Sequence, residues 1–316
     1  MEEPFVPTTH RLDASVVHYE WNNAIPPRLE IEPGDTVVFH TRDAADGYYT
    51  PSSTSADAAA KGPFRGHPLT GPVRVRGARP GDALVVEIVD MKPAAPFGFT
   101  HIRPGAGLLA DDFDKAFLQI WDLSDGTHAR MGRRVAVPIE PFPGVVGVAL
   151  DELGSHSTMP PRKNGGNMDV KQLAAGTTLY LPVWVDGALF SIGDGHAAQG
   201  DGEVCVTAVE MSAQVTVRFG LEPGRRLREP RFRTRGPLPG SAAAGPHFAT
   251  TAHGPDLYVA AQQATRYMIE HLVEERGLSR EEAYVVCSVA VDLRISEIVD
   301  RPNWIVSAFL PESIFV

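Results

Sequence analysis

Two near-identical turns, Glu32-Pro33-Gly34-Asp35 and Arg79-Pro80-Gly81-Asp82, each launch an apolar, β-branched run: Thr36 to Phe39 and Ala83 to Val89. Proline second and glycine third suit a type II turn, and the residues that follow suit a strand. A third case, Ala175-Gly176-Thr177, precedes Leu179 to Val185, and Ala188 to Ile192 follows as the next strand. Residues 203–211 and 214–219 read as a hairpin. Short strands separated by Pro/Gly turns over two-thirds of the chain predict a β-sandwich or barrel. The last third changes character. Leu257, Ala260, Ala261, Ala264, Met268 and Leu272 share one helical face between Asp256 and Arg276, and Gly277 is a natural stop. Ser279 with Glu282 forms a capping box for a second helix, and Ala308 to Pro311 reads as a short strand. The fold class is therefore mainly β with α+β: a sandwich- or jelly-roll-like N-terminal part with barrel-like additions, then a mixed α/β C-terminal lobe. The boundary falls near residue 222, giving units 1–222 and 223–316.

Charge and composition narrow the function classes. The net charge of −10 over 316 residues argues against nucleic acid and anionic membranes as partners unless a local basic patch exists. The one dense basic run is Arg225 to Arg235, punctuated by Pro223, Pro230, Pro237 and Pro239, and it reads as a solvated connector or an anion or oligomer contact. No apolar run is long enough for a membrane span, and the Met1-Glu2-Glu3-Pro4 start lacks the features of a secretory signal. Cys205 and Cys287 sit far apart in apolar runs, so a reduced, cytoplasmic setting is expected.

The chemistry concentrates in Gly193-Asp194-Gly195-His196-Ala197-Ala198-Gln199-Gly200-Asp201-Gly202-Glu203. Four ionisable side chains in a glycine-rich segment between apolar runs suit an active-site loop. Asp194 and His196 are two apart, so in extended backbone both point to one side and suit one divalent cation. The alternative is a turn whose carboxylates cap the backbone. Gly165-Gly166-Asn167-Met168-Asp169 reads as a tight turn able to aim an amide or carboxylate into a cleft, or simply as a turn. His67, His101 and His156 each lie in loop-like surroundings as structural or functional histidines. Asp43 and Asp46 are further oxygen ligands for a cation, and Cys205 is a buried core residue or, less simply, a nucleophile. The Gly-x-Ser-x-Gly elbow and the His-Glu-x-x-His helix are absent, and no dinucleotide fingerprint lies in a βαβ unit.

Residues 165–169, Leu179-Tyr180-Leu181-Pro182-Val183, Gly187-Ala188-Leu189-Phe190-Ser191 and 193–203 together resemble the acetamidase/formamidase family, with supporting matches at 67–72, 80–82 and 288–307. The resemblance implies hydrolysis of short aliphatic amides to carboxylic acid and ammonia, a β-rich fold, and a homodimer or larger homo-oligomer. It also associates the chain with a divalent metal, zinc first and calcium second. On this basis Asp194, His196 and Asp46 are the expected metal ligands. Glu203, Asp201 and Asn167 are the expected catalytic groups, and His67, Asp169 and Gly195 the expected substrate-binding positions. Trp184, Phe190 and Phe99 are candidates for setting substrate size. Two rival readings remain: a hydrolase of a larger or cyclic amide, and a metal-stabilised binding module without catalysis.

Overall fold

The computed structural model describes residues 6–236, 245–299 and 301–316; the N-terminal Met-Glu-Glu-Pro and the connector prolines Pro237 and Pro239 lie outside these. Both Pro-Gly turns form as expected. Gly34 and Gly81 take φ of 109° and 96°, and the amides of Asp35 and Asp82 close on the carbonyls of Glu32 and Arg79 at 3.1 and 3.0 Å. Each aspartate then accepts the backbone N–H three residues back, at 3.0 and 2.9 Å. These turns feed the Thr36–Thr41 and Ala83–Pro93 strands into one six-stranded sheet, on either side of Ala213–Glu222. Alternate residues of these strands, including Val37, Phe39, Val86, Ile88, Val215, Val217 and Phe219, turn into the core.

A ten-stranded sheet carries the Phe190–His196, Phe142–Gly147, Gly165–Asn167, Glu210–Met211 and Phe97–Ile102 strands. The two large sheets meet through Phe190, whose ring centroid lies 5.7 Å from that of Phe39 and 5.0 Å from that of Phe219. The chain is mainly β with few helices, arranged as several sheets. No closed barrel occurs among the described residues, so the barrel-like additions take the form of open sheets.

Three local expectations fail. Residues 204–209 form turns, because their backbone bonds go to the third helix and to a neighbouring loop instead of a ladder. The hairpin is absent: Glu210–Met211 pairs in the ten-stranded sheet and Ala213–Glu222 in the six-stranded one. The front of the glycine block is not a loop, since Phe190–His196 is one strand.

Beyond the short helix α1, Ser55–Ala60, the two C-terminal helices form with the Gly277 stop and the Ser279/Glu282 capping box expected from the sequence. Helix α2, Leu257–Arg276, has Asp256 accepting the N–H groups of Tyr258 and Val259, and ends at left-handed Gly277. Helix α3, Arg280–Ala290, carries the Ser279/Glu282 capping box. A three-stranded sheet of His247–Gly254, Trp304–Pro311 and Asp292–Glu297 supports them. The basic run is partly structured, with Arg231–Arg233 pairing along the edge of the Thr178–Pro182 strand. One contiguous core runs from Leu12 to Ile314 and joins residues of both halves.

Arg266 of α2 forks onto Asp112 with two bonds of 2.7 Å. The guanidinium hydrogen bond holds the Asp112 carboxyl below its usual range. A depressed folded pKa gives stability present above the unfolded value and lost as pH falls through the folded one. Asp112→Asn is therefore expected to cost about 1 kcal/mol at pH 7, discounted for partial solvent contact. The gap to wild type in urea melts should close in acid; a gap independent of pH would exclude this role.

Candidate active site

The floor of a cavity of about 660 Å³ gathers Asp169, Asp194, Glu203 and Glu210, with His67 and Asn167 beside them. The Phe190–His196 strand is buried at every residue, and it delivers Asp194 and His196, two apart, to the same cluster. Around His196 Nε2 stand Glu210 Oε2 at 3.2 Å, Asp194 Oδ2 at 3.5 Å and Glu203 Oε1 at 3.9 Å. Asp169 Oδ1 lies 4.0 Å from the other ring nitrogen. His67 Nε2 lies 3.7 Å from Asp194 Oδ2.

Gln199 fixes the orientation of His196. Its Nε2 donates to the backbone carbonyl of Asp169 at 2.8 Å, which leaves Oε1 facing His196 Nδ1 at 3.0 Å. A carbonyl only accepts, so the amide cannot be reversed, and Nδ1 must be the protonated nitrogen. Nε2 is then directed at the carboxylates.

This packing demands close approach and strain. Gly144, opposite Asp194 in the neighbouring strand, has no room for a Cβ: one would lie 2.7 Å from Asp169 Oδ1 and His196 Cε1, and 2.8 Å from Asp194 Oδ2. Asp169, Asp194 and Glu203 all take left-handed backbone, with φ of 49°, 55° and 43°. Such non-glycine conformations cost roughly 1–3 kcal/mol each and cluster at functional sites.

The C-terminal half holds the other floor segment in place. Ser288 accepts from the Cys205 amide at 3.1 Å and donates to the Thr207 carbonyl at 2.8 Å. Tyr284 donates to the Val204 carbonyl and accepts from the Leu109 amide. Asp292, paired with Lys171, accepts from the Asp201 amide at 3.0 Å.

Electrostatics follow from burial. Burial, and then the neighbouring carboxylates, push Asp169 up to about 7 and Glu210 up to about 8. Burial and Asp169 raise Glu203 well above the carboxylate range. For Asp194 burial acts upward but is outweighed by His67 and His196, so it is held low. For His196 burial acts downward and is outweighed by Glu210 and Asp194, so it is raised. His67 is lowered, chiefly by burial.

The ligand atoms of Asp194, His196 and Glu210 lie within 4.8 Å of one another, as do those of Asp169, His196 and Glu203. Asp169 Oδ1, Asp194 Oδ1, His196 Nε2 and Glu210 Oε2 are buried with no hydrogen-bond partner. Buried carboxylate oxygens without hydrogen bonds, clustered around one imidazole, fit a divalent cation.

Of the residues singled out in the sequence, Asp194, His196, Glu203, Asp169, His67 and Asn167 come together. Asp201 does not: it faces Lys171 at 3.7 Å. Asp46 binds Arg42 at 2.8 Å and Tyr19 at 2.7 Å, and Asp43 caps its own turn. Gly195 faces away, toward Ala213 and Met211. Trp184, Phe190 and Phe99 do not line the cavity, which has Tyr49, Phe64 and Met159 on its walls. His156 is on the short strand paired with Glu20–Trp21. Burial pushes the Cys205 thiol up to about 11, the opposite of an activated nucleophile. Glu210 and Gln199 are new: Glu210 lies in a stretch whose sequence reads as a strand, and Gln199 is an uncharged member of the glycine block.

Residues 7–153 and 151–316 match the model described as the Acetamidase/Formamidase family. A formamidase from Methylophilus methylotrophus is 28% identical over 367 residues, covering 95% of this chain and 89% of that protein. A solved gamma lactamase from Delftia acidovorans superposes with a TM-score of 0.89 at 27% identity, covering 98% of this chain and 93% of that one. An acetamidase structure from Bacillus halodurans gives 0.68 at 33% identity, covering 95% and 96%.

Unfolded carboxylates lose their protons near pH ~4, whereas the metal-free folded protein keeps those of Asp169 and Glu210 to about 7 and about 8. The folded state therefore binds more protons in between, and stability should fall as pH rises through that window. A divalent cation should expel these protons on binding. Thermal melts of chelator-treated protein against pH, with proton release on cation addition, test both; a flat profile without release would refute the assignment.

Proposed function

The chain belongs to the acetamidase/formamidase family, and we propose that it hydrolyses the carbon–nitrogen bond of a small, non-peptide carboxamide larger than acetamide. The observation that carries this reading is the carboxylate floor beneath a cavity of about 660 Å³. Pockets of about 300–1,000 Å³ bury drug-sized ligands, far more than formamide or acetamide fills. The short amides expected from the resemblance would enter but leave most of the space to water.

Amide hydrolysis needs an activated water, a stabilised oxyanion and a proton for the departing nitrogen. Asp194, His196 and Glu210 would hold a divalent cation, with Asp169 and Glu203 at its edge. When bound, such an ion supplies Lewis-acid polarisation of the carbonyl. Glu203 is the general base that takes the proton of water and returns it to the leaving nitrogen, a role suited to a carboxyl raised by burial. His67 is kept neutral. The Thr158 hydroxyl accepts from the His67 amide at 2.8 Å and lies 3.1 Å from Nδ1; in the tautomer this reading uses, it donates its proton to that nitrogen. His67 Nε2–H is then free to donate to the developing oxyanion. Asn167 spends its Nδ2 on the Met159 carbonyl at 3.1 Å and has an unpaired Oδ1 at the cavity. It accepts from the substrate amide N–H and orients it.

A second reading has its own support. The gamma lactamase superposes at a TM-score of 0.89, against 0.68 for the acetamidase, which favours a cyclic amide opened to an amino acid. Ammonia release from a series running from formamide to butyramide, alongside ring opening of a five-membered lactam, separates the cases. Larger linear amides are expected to outpace formamide in kcat/KM; lactam turnover alone would establish the second reading, and no turnover by either route would end both.

Glu203→Gln should lower kcat by about 10²–10⁴-fold while leaving cation content near wild type, measured by elemental analysis. Equal turnover would exclude it as the base. Gly144→Ala should remove activity and cation binding together, since its methyl must displace the Asp169, Asp194 and His196 side chains. A fully loaded, active Gly144→Ala protein would contradict this geometry.

A further inference from the structure

The cavity has a second chemical character above its floor. Lys61, just after the short Ser55–Ala60 helix, and Arg103, just after the Phe97–Ile102 strand, both line it, and neither segment supplies a floor carboxylate. Both side chains are half-buried. Among the described residues, Arg103 has neither an ion pair nor a side-chain hydrogen bond, and Lys61 makes no ion pair: it lies over the rings of Tyr48 and Tyr49, at 4.8 and 6.0 Å, and feels the charges of Asp43 and Asp46 at longer range. Most other partly buried cations here are satisfied: Arg266 by Asp112, Lys171 by Asp292, Arg42 by Asp46.

His101 lines the same cavity. Its ring stacks on Phe99, with centroids 6.1 Å apart and an interplanar angle of 11°, and its Nδ1 is buried with no partner. Burial first, and then the charges of Arg103 and Lys61, hold it down to about 4. At neutral pH it is therefore an uncharged imidazole able to present an N–H. Two cations without ion-pair partners, lining one cavity with a neutral imidazole, are chemically complementary to an anion, which would form charge-assisted hydrogen bonds there.

We propose that the substrate is an amide that also bears a carboxylate, with the amide carbonyl on the carboxylate floor and the anionic end held by Arg103, Lys61 and His101. The inference rests on the amide-hydrolase reading of the floor and specifies which amides the rest of the cavity selects. The acidic groups that oppose it are the floor carboxylates, Asp114 at the exposed rim, and Asp43 and Asp46 near Lys61, of which Asp46 is already paired with Arg42. Repulsion from the floor would orient such a substrate with its carboxylate outward, which fixes the amide end at the site of reaction.

The test compares succinamate with butyramide, which differ in a carboxylate against a methyl group, by kcat/KM at low ionic strength. Wild type should prefer succinamate at least tenfold, and the preference should shrink with added salt. Arg103→Gln and Lys61→Gln should each lower the succinamate-to-butyramide ratio severalfold. A wild-type ratio of one or less, with both amides turned over, would overturn this inference and leave the amide-hydrolase reading intact. If neither amide is turned over, calorimetric binding of succinate against butyrate decides it separately. Tighter binding of succinate that is lost in Arg103→Gln would support the anion wall, and equal binding would overturn it.

Discussion

The Phe190–His196 strand is buried along its entire length while changing character midway, and the rest of the site is a consequence of that placement. Its first residue belongs to the aromatic contact between the two large sheets. Its last three residues put a carboxylate and an imidazole where water is scarce. A buried charge is tolerated only when paired, and here each group's partner is another ionisable group. Asp194 and His196 stabilise each other's charged forms, and one imidazole is too little to offset the desolvation of Asp169, Glu203 and Glu210 as well. Surplus negative charge around one ring nitrogen is resolved by protons or by a cation. The site is therefore organised as a competition between the two.

Glycine serves this arrangement mainly through absence of bulk. The block around Asp194 invites a reading in terms of mobility, yet its first half is a paired strand. Gly144 is the clearest case: it has no unusual backbone conformation, and its side chain is missing because three reactive side chains occupy the space. Gly200 shows the same logic elsewhere, since a Cβ there would lie 2.1 Å from the Val291 carbonyl. That contact seats the segment carrying Glu203 against the end of α3. Close packing of backbone on backbone makes the floor rigid, which electrostatic preorganisation requires.

Much of this was legible in the chain because the signals were local. Turn residues placed the Thr36–Thr41 and Ala83–Pro93 strands, and Gly277 and Ser279 placed the end of α2 and the start of α3. Their spacing of two marked Asp194 and His196 as members of one cluster. What escaped was decided by distant partners. Glu210 sits among Thr207, Ala208 and Val209, and no local pattern distinguishes it from a strand residue with one polar side chain. Its significance appears only when residues 204–209 leave the ladder to bind Tyr284 and Ser288. Asp201 failed for the opposite reason: it is in the right block, but Lys171 pulls it outward while left-handed Glu203 turns inward. Asp46 has a side chain suited to a cation, but Arg42 and Tyr19 occupy its oxygens.

The C-terminal part then acquires a role beyond packing. Ser288 and Tyr284 lie on one helix and Asp292 follows just after it, and between them they bind the backbone of residues 201, 204, 205 and 207. These bonds are spaced along the stretch that bears Glu203 and leads to Glu210. A loop with two raised carboxylates would otherwise swing outward to solvate them, since solvation is worth more to a charged carboxylate than any loop conformation. Hydrogen bonds to its backbone remove that escape without touching the carboxylates themselves. The family match at 288–307 thus falls at the region that clamps the floor, far in sequence from every group on it. Reactivity at Glu203 and Glu210 depends on their staying desolvated, and that condition is met by a helix contributing no reactive group of its own.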